Sequence, residues 1–72
     1  MSKDWLGQEL RITTRDACVF VGHLSALEAD GSAVLETVTQ TIQDGPTDAI
    51  STVRRPHIYI KGEDISMVET RK

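Results

Sequence analysis

Cys18-Val19-Phe20-Val21-Gly22-His23-Leu24 is the stretch whose reading decides how this chain folds. Valine, phenylalanine and leucine crowd into it as they do in strands. Gly22 lies in its interior. A glycine there weakens a strand unless the sheet bends sharply at that point or another backbone comes close. The segment therefore predicts a strongly curved sheet, and the rest of the chain supplies the remaining strands.

Upstream, Leu10 and Ile12 alternate with Glu9, Arg11 and Thr13, which is the period of a strand with one buried face. Thr14-Arg15-Asp16-Ala17 is the turn into the second strand, which runs from Cys18 toward Leu27. Ahead of both, Ser2 to Gly7 reads as a short helix, with Ser2 as N-cap, Gly7 as stop, and Trp5 and Leu6 pinning it to the core. Downstream, Asp30-Gly31-Ser32 is a turn, and Ala33, Val34, Leu35, Val38 and Ile42 mark a third strand. Residues 43–52 contain Asp44-Gly45-Pro46 and read as the longest loop. Val53 to Ile60 is the fourth strand, Lys61-Gly62-Glu63 a tight reversal, and Asp64 to Glu69 the fifth strand. The expected fold is mostly β: a short N-terminal helix followed by a five-stranded, strongly bent antiparallel barrel, one domain over residues 1–72.

A chain of 72 residues buries only about 60% of the surface its unfolded form exposes. Thin cores of this kind lean on disulfides, a metal or a partner. Cys18 is the single cysteine, so no internal disulfide forms, and with only His23 and His57 beside it the chain lacks the ligands of an ordinary structural zinc site. A partner is what remains. The net charge of −3 argues against indiscriminate phosphate binding. Arg54-Arg55 with Lys61, and Arg71-Lys72, are local basic groups whose default role is solvated charge. No stretch approaches the roughly 20 apolar residues of a membrane span, and Met1-Ser2-Lys3-Asp4 leads into no signal core. The expectation is a soluble, cytoplasmic protein.

No nucleophile–base pair, metal constellation or phosphate-cradling glycine loop is visible, so no catalytic residue and no cofactor is expected. Cys18 reads as a buried small hydrophobe, and His23 and His57 as surface or edge side chains. Glu28, Asp30, Glu63 and Asp64 would cluster if the two reversals converge.

The order of elements resembles the Sm/LSm family over almost the whole chain. The first motif, at about residues 8–42, has the spacing Gly-x-Leu-x-x-x-Asp-x-x-x-Asn-x-x-Leu, with Gly22, Leu24 and Leu35 in the structural slots. The second, at about 53–69, is similar to an Ile-Arg-Gly-Asp/Glu-Asn-Ile run at Ile60-Lys61-Gly62-Glu63-Asp64-Ile65, with a variable loop at about 43–52 between them. The resemblance implies an RNA pocket, in which ring-forming members stack a base between a first-motif side chain and the second-motif Arg while the Asn bonds the base edge. Here the corresponding positions hold Glu28, Asp30, Ser32 and Lys61, beside Gly62. Asp30 has no π-face and brings negative charge, Ser32 has one hydroxyl in place of an amide, and Lys61 cannot stack as a guanidinium does. The implied pocket is degraded.

Within the family, Leu10-Arg11-Ile12-Thr13-Thr14-Arg15-Asp16 followed by Val19-Phe20-Val21-Gly22 is similar to the LSm-like auxiliary subunit of the NatC N-terminal acetyltransferase. That branch implies a non-catalytic module that packs on a large scaffold subunit and helps hold the catalytic acetyltransferase subunit, without RNA. The candidate partner-interface residues are Trp5, Arg54, Arg55, Pro56 and Tyr59. Pro56 lacks an N–H, which confines it to an edge, a strand start or a bulge. Trp5 either caps the core, the reading favoured, or anchors a partner. The alternative implied by the family is an LSm subunit of a heteroheptameric RNA-binding ring in RNA processing or decay, with a nuclear location open to it.

Overall fold

The computed structural model describes residues 3–44 and 49–70, with the backbone alone described at 43, 44, 49 and 50. Five strands, β1 (Glu9–Thr14), β2 (Cys18–Leu27), β3 (Ala33–Asp44), β4 (Ala49–Ile60) and β5 (Ile65–Thr70), form one antiparallel sheet in the order β4-β3-β2-β1-β5. In β1 the period of two is realised: Leu10, Ile12 and Thr14 are buried while Arg11 is exposed. Leu10, Ile12, Phe20, Leu24, Ala33, Leu35, Val38 and Ile60 make the core, and Trp5, Cys18, Ile58, Ile65 and Val68 pack on it half-buried.

The bend expected at Gly22 is present, and both reasons for a glycine there hold together. Register slips between the pairs Val21↔Thr39 and His23↔Glu36, so two residues of β3, Thr37 and Val38, face Gly22. Thr37 takes a left-handed φ of 52° to make this bulge. A Cβ on Gly22 would lie 2.8 Å from the Glu36 carbonyl oxygen and 3.0 Å from Val38 Cγ2. The missing side chain is what lets β3 fold across β2.

Three expectations need correction. The strands do not close into a barrel: among the described residues β4 and β5 share no ladder, and each leaves one edge of the sheet free. The chain leaves β4 through a single 3-10 turn, Gly62–Asp64, and β5 departs to pair with β1. Ile60, at the end of β4, is buried in the core, and Ile65, at the start of β5, packs half-buried against it. The N-terminal helix is also only one 3-10 turn, Lys3–Trp5. Gly7, at φ 81°, ends it, and the Gly7 N–H donates to the Leu24 carbonyl at 2.8 Å, drawing the chain alongside β2 before a helix can propagate. Trp5 packs on the core as expected, but Leu6 is exposed and pins nothing.

The third correction is the long loop. Residues 43, 44 and 49–52 belong to β3 and β4, paired out to Asp44↔Ala49, so β4 begins well before Val53. Polar residues that looked like loop are held as strand by the ladder on the neighbouring strand. The Gly45-Pro46 part of the turn signal lies outside the described residues.

Pro56 stands on an edge strand, as its missing donor requires. It causes no slip: the register of β3 with β4 is unshifted from Glu36↔His57 to Val38↔Arg55, and only the Thr37–Pro56 pair between them is missing. The irregular residue is therefore Thr37 on β3, and β4 carries no bulge at this point.

Candidate functional site

Pairing of Ala33 with Ile60 sets the turn after β2 beside the turn after β4. The contact is close. A Cβ on Gly62 would fall 2.5 Å from the Asp30 carbonyl oxygen and 2.9 Å from Gly31 C, so only glycine fits. Gly31 adopts φ 88° to bring the first turn around. Ser32, fully buried, sits at the junction. Its hydroxyl accepts from the Gly62 N–H at 3.1 Å, its own N–H donates to Asp30 Oδ1 at 2.9 Å, and its carbonyl accepts from the Glu28 N–H at 2.9 Å. The Ser32 backbone N–H, and after it the Ser32 hydroxyl, hold the Asp30 carboxyl below the usual carboxylate range. Asp30 is ionised at neutral pH.

Of the pocket positions read from the sequence, Asp30, Ser32, Lys61 and Gly62 come together, while Glu28 contributes backbone to the turn and keeps an exposed side chain. Asp30, Tyr59, Lys61, Gly62 and Glu63 line an open cleft of about 330 Å³. The reversals do converge, but Asp30 and Glu63 share this cleft without Asp64, which lines a neighbouring one of about 400 Å³ with Arg15, Asp16, Phe20 and Ile58. Arg15 ties that region together: its Nε donates to the Glu63 carbonyl at 2.7 Å and its backbone N–H to the Asp64 carbonyl at 2.9 Å. The Thr14 hydroxyl donates to Asp16 and is the main cause that lowers the Asp16 pKa.

Tyr59, an interface candidate 51% exposed on β4, also lines the cleft of Asp30, Lys61 and Glu63. The alternation of Tyr59 against Ile58 and Ile60 was the sequence signal for its exposure. Chemically the cleft offers one aromatic ring, one ammonium and two carboxylates. A base could stack, but a phosphate beside it meets more negative than positive charge.

The interface candidates divide. Arg54, Arg55 and Pro56 are exposed on β4, with Arg55 Nε donating to Gln40 Oε1 at 2.7 Å. Trp5 is instead half-buried against the core. Among the described residues, no group of three or more His, Cys, Asp or Glu side chains is placed to hold a metal, and no helix is long and apolar enough to cross a membrane.

A bent, open sheet of five antiparallel strands whose two polar turns meet at a buried serine defines an Sm-type module. The LSM domain profile matches residues 1–70, and the chain belongs to that family. No curated protein sequence matches it. Among solved structures it is similar to a heptameric archaeal Sm protein, with 20% identity, 97% of this chain and 94% of that one covered, and a TM-score of 0.79. It is likewise similar to the P. aerophilum SmAP1 heptamer (20% identity, 97% and 86% covered, TM-score 0.80). A chain of the NatC complex bound to CoA is similar to the same degree (19% identity, 96% and 82% covered, TM-score 0.78). At these identities the likenesses establish the fold alone.

Proposed function

We propose that this LSM-domain chain is a non-catalytic auxiliary subunit of a NatC-type N-terminal acetyltransferase. It docks on the large scaffold subunit, stabilises the complex with its catalytic subunit, and works in the cytoplasm. The observation that carries this reading is the use made of Ser32. Where ring members of the family present an amide to a base edge, this chain has a buried hydroxyl that accepts from the Gly62 N–H, next to an ionised carboxylate held by the Ser32 backbone N–H. Each lost base contact weakens binding by about 1–3 kcal/mol. Losing two or three leaves RNA affinity lower by a few powers of ten. The fold is compatible with the assignment, since a NatC chain stands among the structural neighbours beside the Sm heptamers.

A second reading has its own observation. The free edges of β4 and β5 lie at opposite ends of the sheet, which suits strand addition from one copy to the next, and Tyr59 supplies a ring at the pocket. On that reading the chain is one LSm subunit of a heteroheptameric RNA-binding ring.

Purification of the tagged native protein separates the two. The auxiliary-subunit reading expects a large helical scaffold and an acetyltransferase in the eluate. Recovery of six other small Sm-type chains with a U-rich RNA would overturn it.

A further inference from the structure

The two reversals are pressed together at Gly62, so the side chains that flank this glycine stand beside the turn after β2. Their backbones touch: a Cβ on Gly62 would fall 2.9 Å from Gly31 C and 3.1 Å from Ser32 N. Asp30 from the first turn and Lys61 and Glu63 from the second therefore line one cleft, joined by Tyr59 from the end of β4. All four side chains are exposed. Both acidic residues are anchored by their surroundings: Asp30 Oδ1 accepts from the Ser32 N–H at 2.9 Å, and the Glu63 carbonyl accepts from Arg15 Nε at 2.7 Å. Lys61 brings an ammonium to the cleft, yet among the described residues it makes no ion pair with either carboxylate. Two carboxylates against one ammonium, beside an aromatic face, make a place for a further cation.

We infer that this cleft takes an arginine side chain of a protein partner, its guanidinium stacked on Tyr59 and hydrogen-bonded to the carboxylates of Asp30 and Glu63. The inference rests on the reading above that the chain docks on another polypeptide, and it names the chemistry of one contact. A guanidinium is flat, so it covers a ring while its fork meets a carboxylate edge-on, which an ammonium cannot do. Among the described residues no third His, Cys, Asp or Glu is placed with these two to hold a metal ion. A nucleobase would use the same ring, and charge tells the two occupants apart. Removing a carboxylate weakens the hold on a cation and eases the passage of phosphates, whereas removing the Lys61 ammonium does the reverse.

The test titrates the full 15N-labelled chain with acetyl-Gly-Gly-Arg-Gly-Gly amide, its citrulline counterpart and a U-rich oligonucleotide. The arginine peptide should shift the amides of Asp30, Tyr59, Gly62 and Glu63 and bind about tenfold more tightly than the neutral citrulline peptide. The double substitution Asp30→Asn/Glu63→Gln should lower that affinity about tenfold, and because it keeps a side-chain oxygen for the Ser32 N–H the turn is preserved. Tyr59→Leu should cost about threefold, and Lys61→Gln should raise the affinity about twofold. Equal binding of the two peptides, indifference to the double substitution, or weaker binding of the arginine peptide by Lys61→Gln would each reject the site, as would an oligonucleotide that shifts these amides in preference to the arginine peptide. In the native purification, a wild-type chain that brings no scaffold while the peptide result stands would defeat the auxiliary-subunit reading and leave the site. A scaffold recovered equally well with the double variant would defeat the site and leave that reading.

Discussion

The Gly62 amide donates to the Ser32 hydroxyl at 3.1 Å, a bond between residues 30 positions apart that fastens the turn after β2 to the turn after β4. Ser32 has no exposed surface, so the bond is sheltered from competing water. The Ser32 hydroxyl is thus a structural joint in this chain, and the first prediction concerns its strength.

Ser32→Ala leaves the Gly62 N–H without its acceptor in a part-buried setting. Loss of such a bond destabilises by about 1–3 kcal/mol, read as a lower urea midpoint with an unchanged slope. Gly62→Ala should be the more damaging substitution. Its Cβ would sit 2.5 Å from a backbone oxygen of Asp30, so the turn itself must move.

Gly22→Ala tests the bend in the same way. The new methyl would meet the Glu36 carbonyl and Val38 Cγ2, and overpacking of this kind costs about 1–3 kcal/mol. Adding Val38→Ala removes one of the two obstacles. The double variant should be less destabilised than the sum of the singles, because the sites touch, yet remain below wild type because the carbonyl stays in place. Additivity in chemical denaturation would contradict the described packing of β3 on β2.

How much of this was legible follows from what carries each feature. The curvature could be read because a backbone approach demands a particular residue type, Gly22. Burial along β1 could be read because side-chain periodicity encodes it. Whether β4 meets β5 could not, since that depends on backbone hydrogen bonds that any residue can make. The same reason hid the clamp from Arg15 to the carbonyls of Glu63 and Asp64, and it hid the continuation of β3 and β4 into a stretch that composition marks as loop. Asp30, Ser32 and Lys61 could be read as departures from the family's motif, but the bond that the Ser32 hydroxyl accepts from Gly62 could not.

Stability should also fall on acidification, with Asp30 and Asp16 contributing. Hydrogen bonds from Ser32, backbone first, lower the Asp30 pKa, and the Thr14 hydroxyl is the main cause for Asp16, both from an ordinary value of 3.8. A carboxyl depressed in the folded state stabilises the fold above its unfolded pKa, and that contribution is lost as pH falls through the folded value. The melting temperature should therefore drop as pH falls from about 3.8, and Asp30→Asn and Asp16→Asn should each flatten this acid limb. Both groups are exposed, so the difference between variants and wild type should shrink in high salt.

Trp5 offers a test of core against interface. It packs half-buried on the core from a single 3-10 turn, so Trp5→Ala should lower the stability of the isolated chain by about 2 kcal/mol, somewhat less than a fully buried tryptophan would. A residue that only braces the core should leave partner affinity unchanged once measured well below the variant's melting temperature. A fall in affinity without a fall in isolated stability would move Trp5 from the core to the docking surface. The neighbouring Leu6, 47% exposed, gives the control: Leu6→Ala should leave isolated stability within about 0.5 kcal/mol of wild type, and any effect it has on the complex reports a contact made only there.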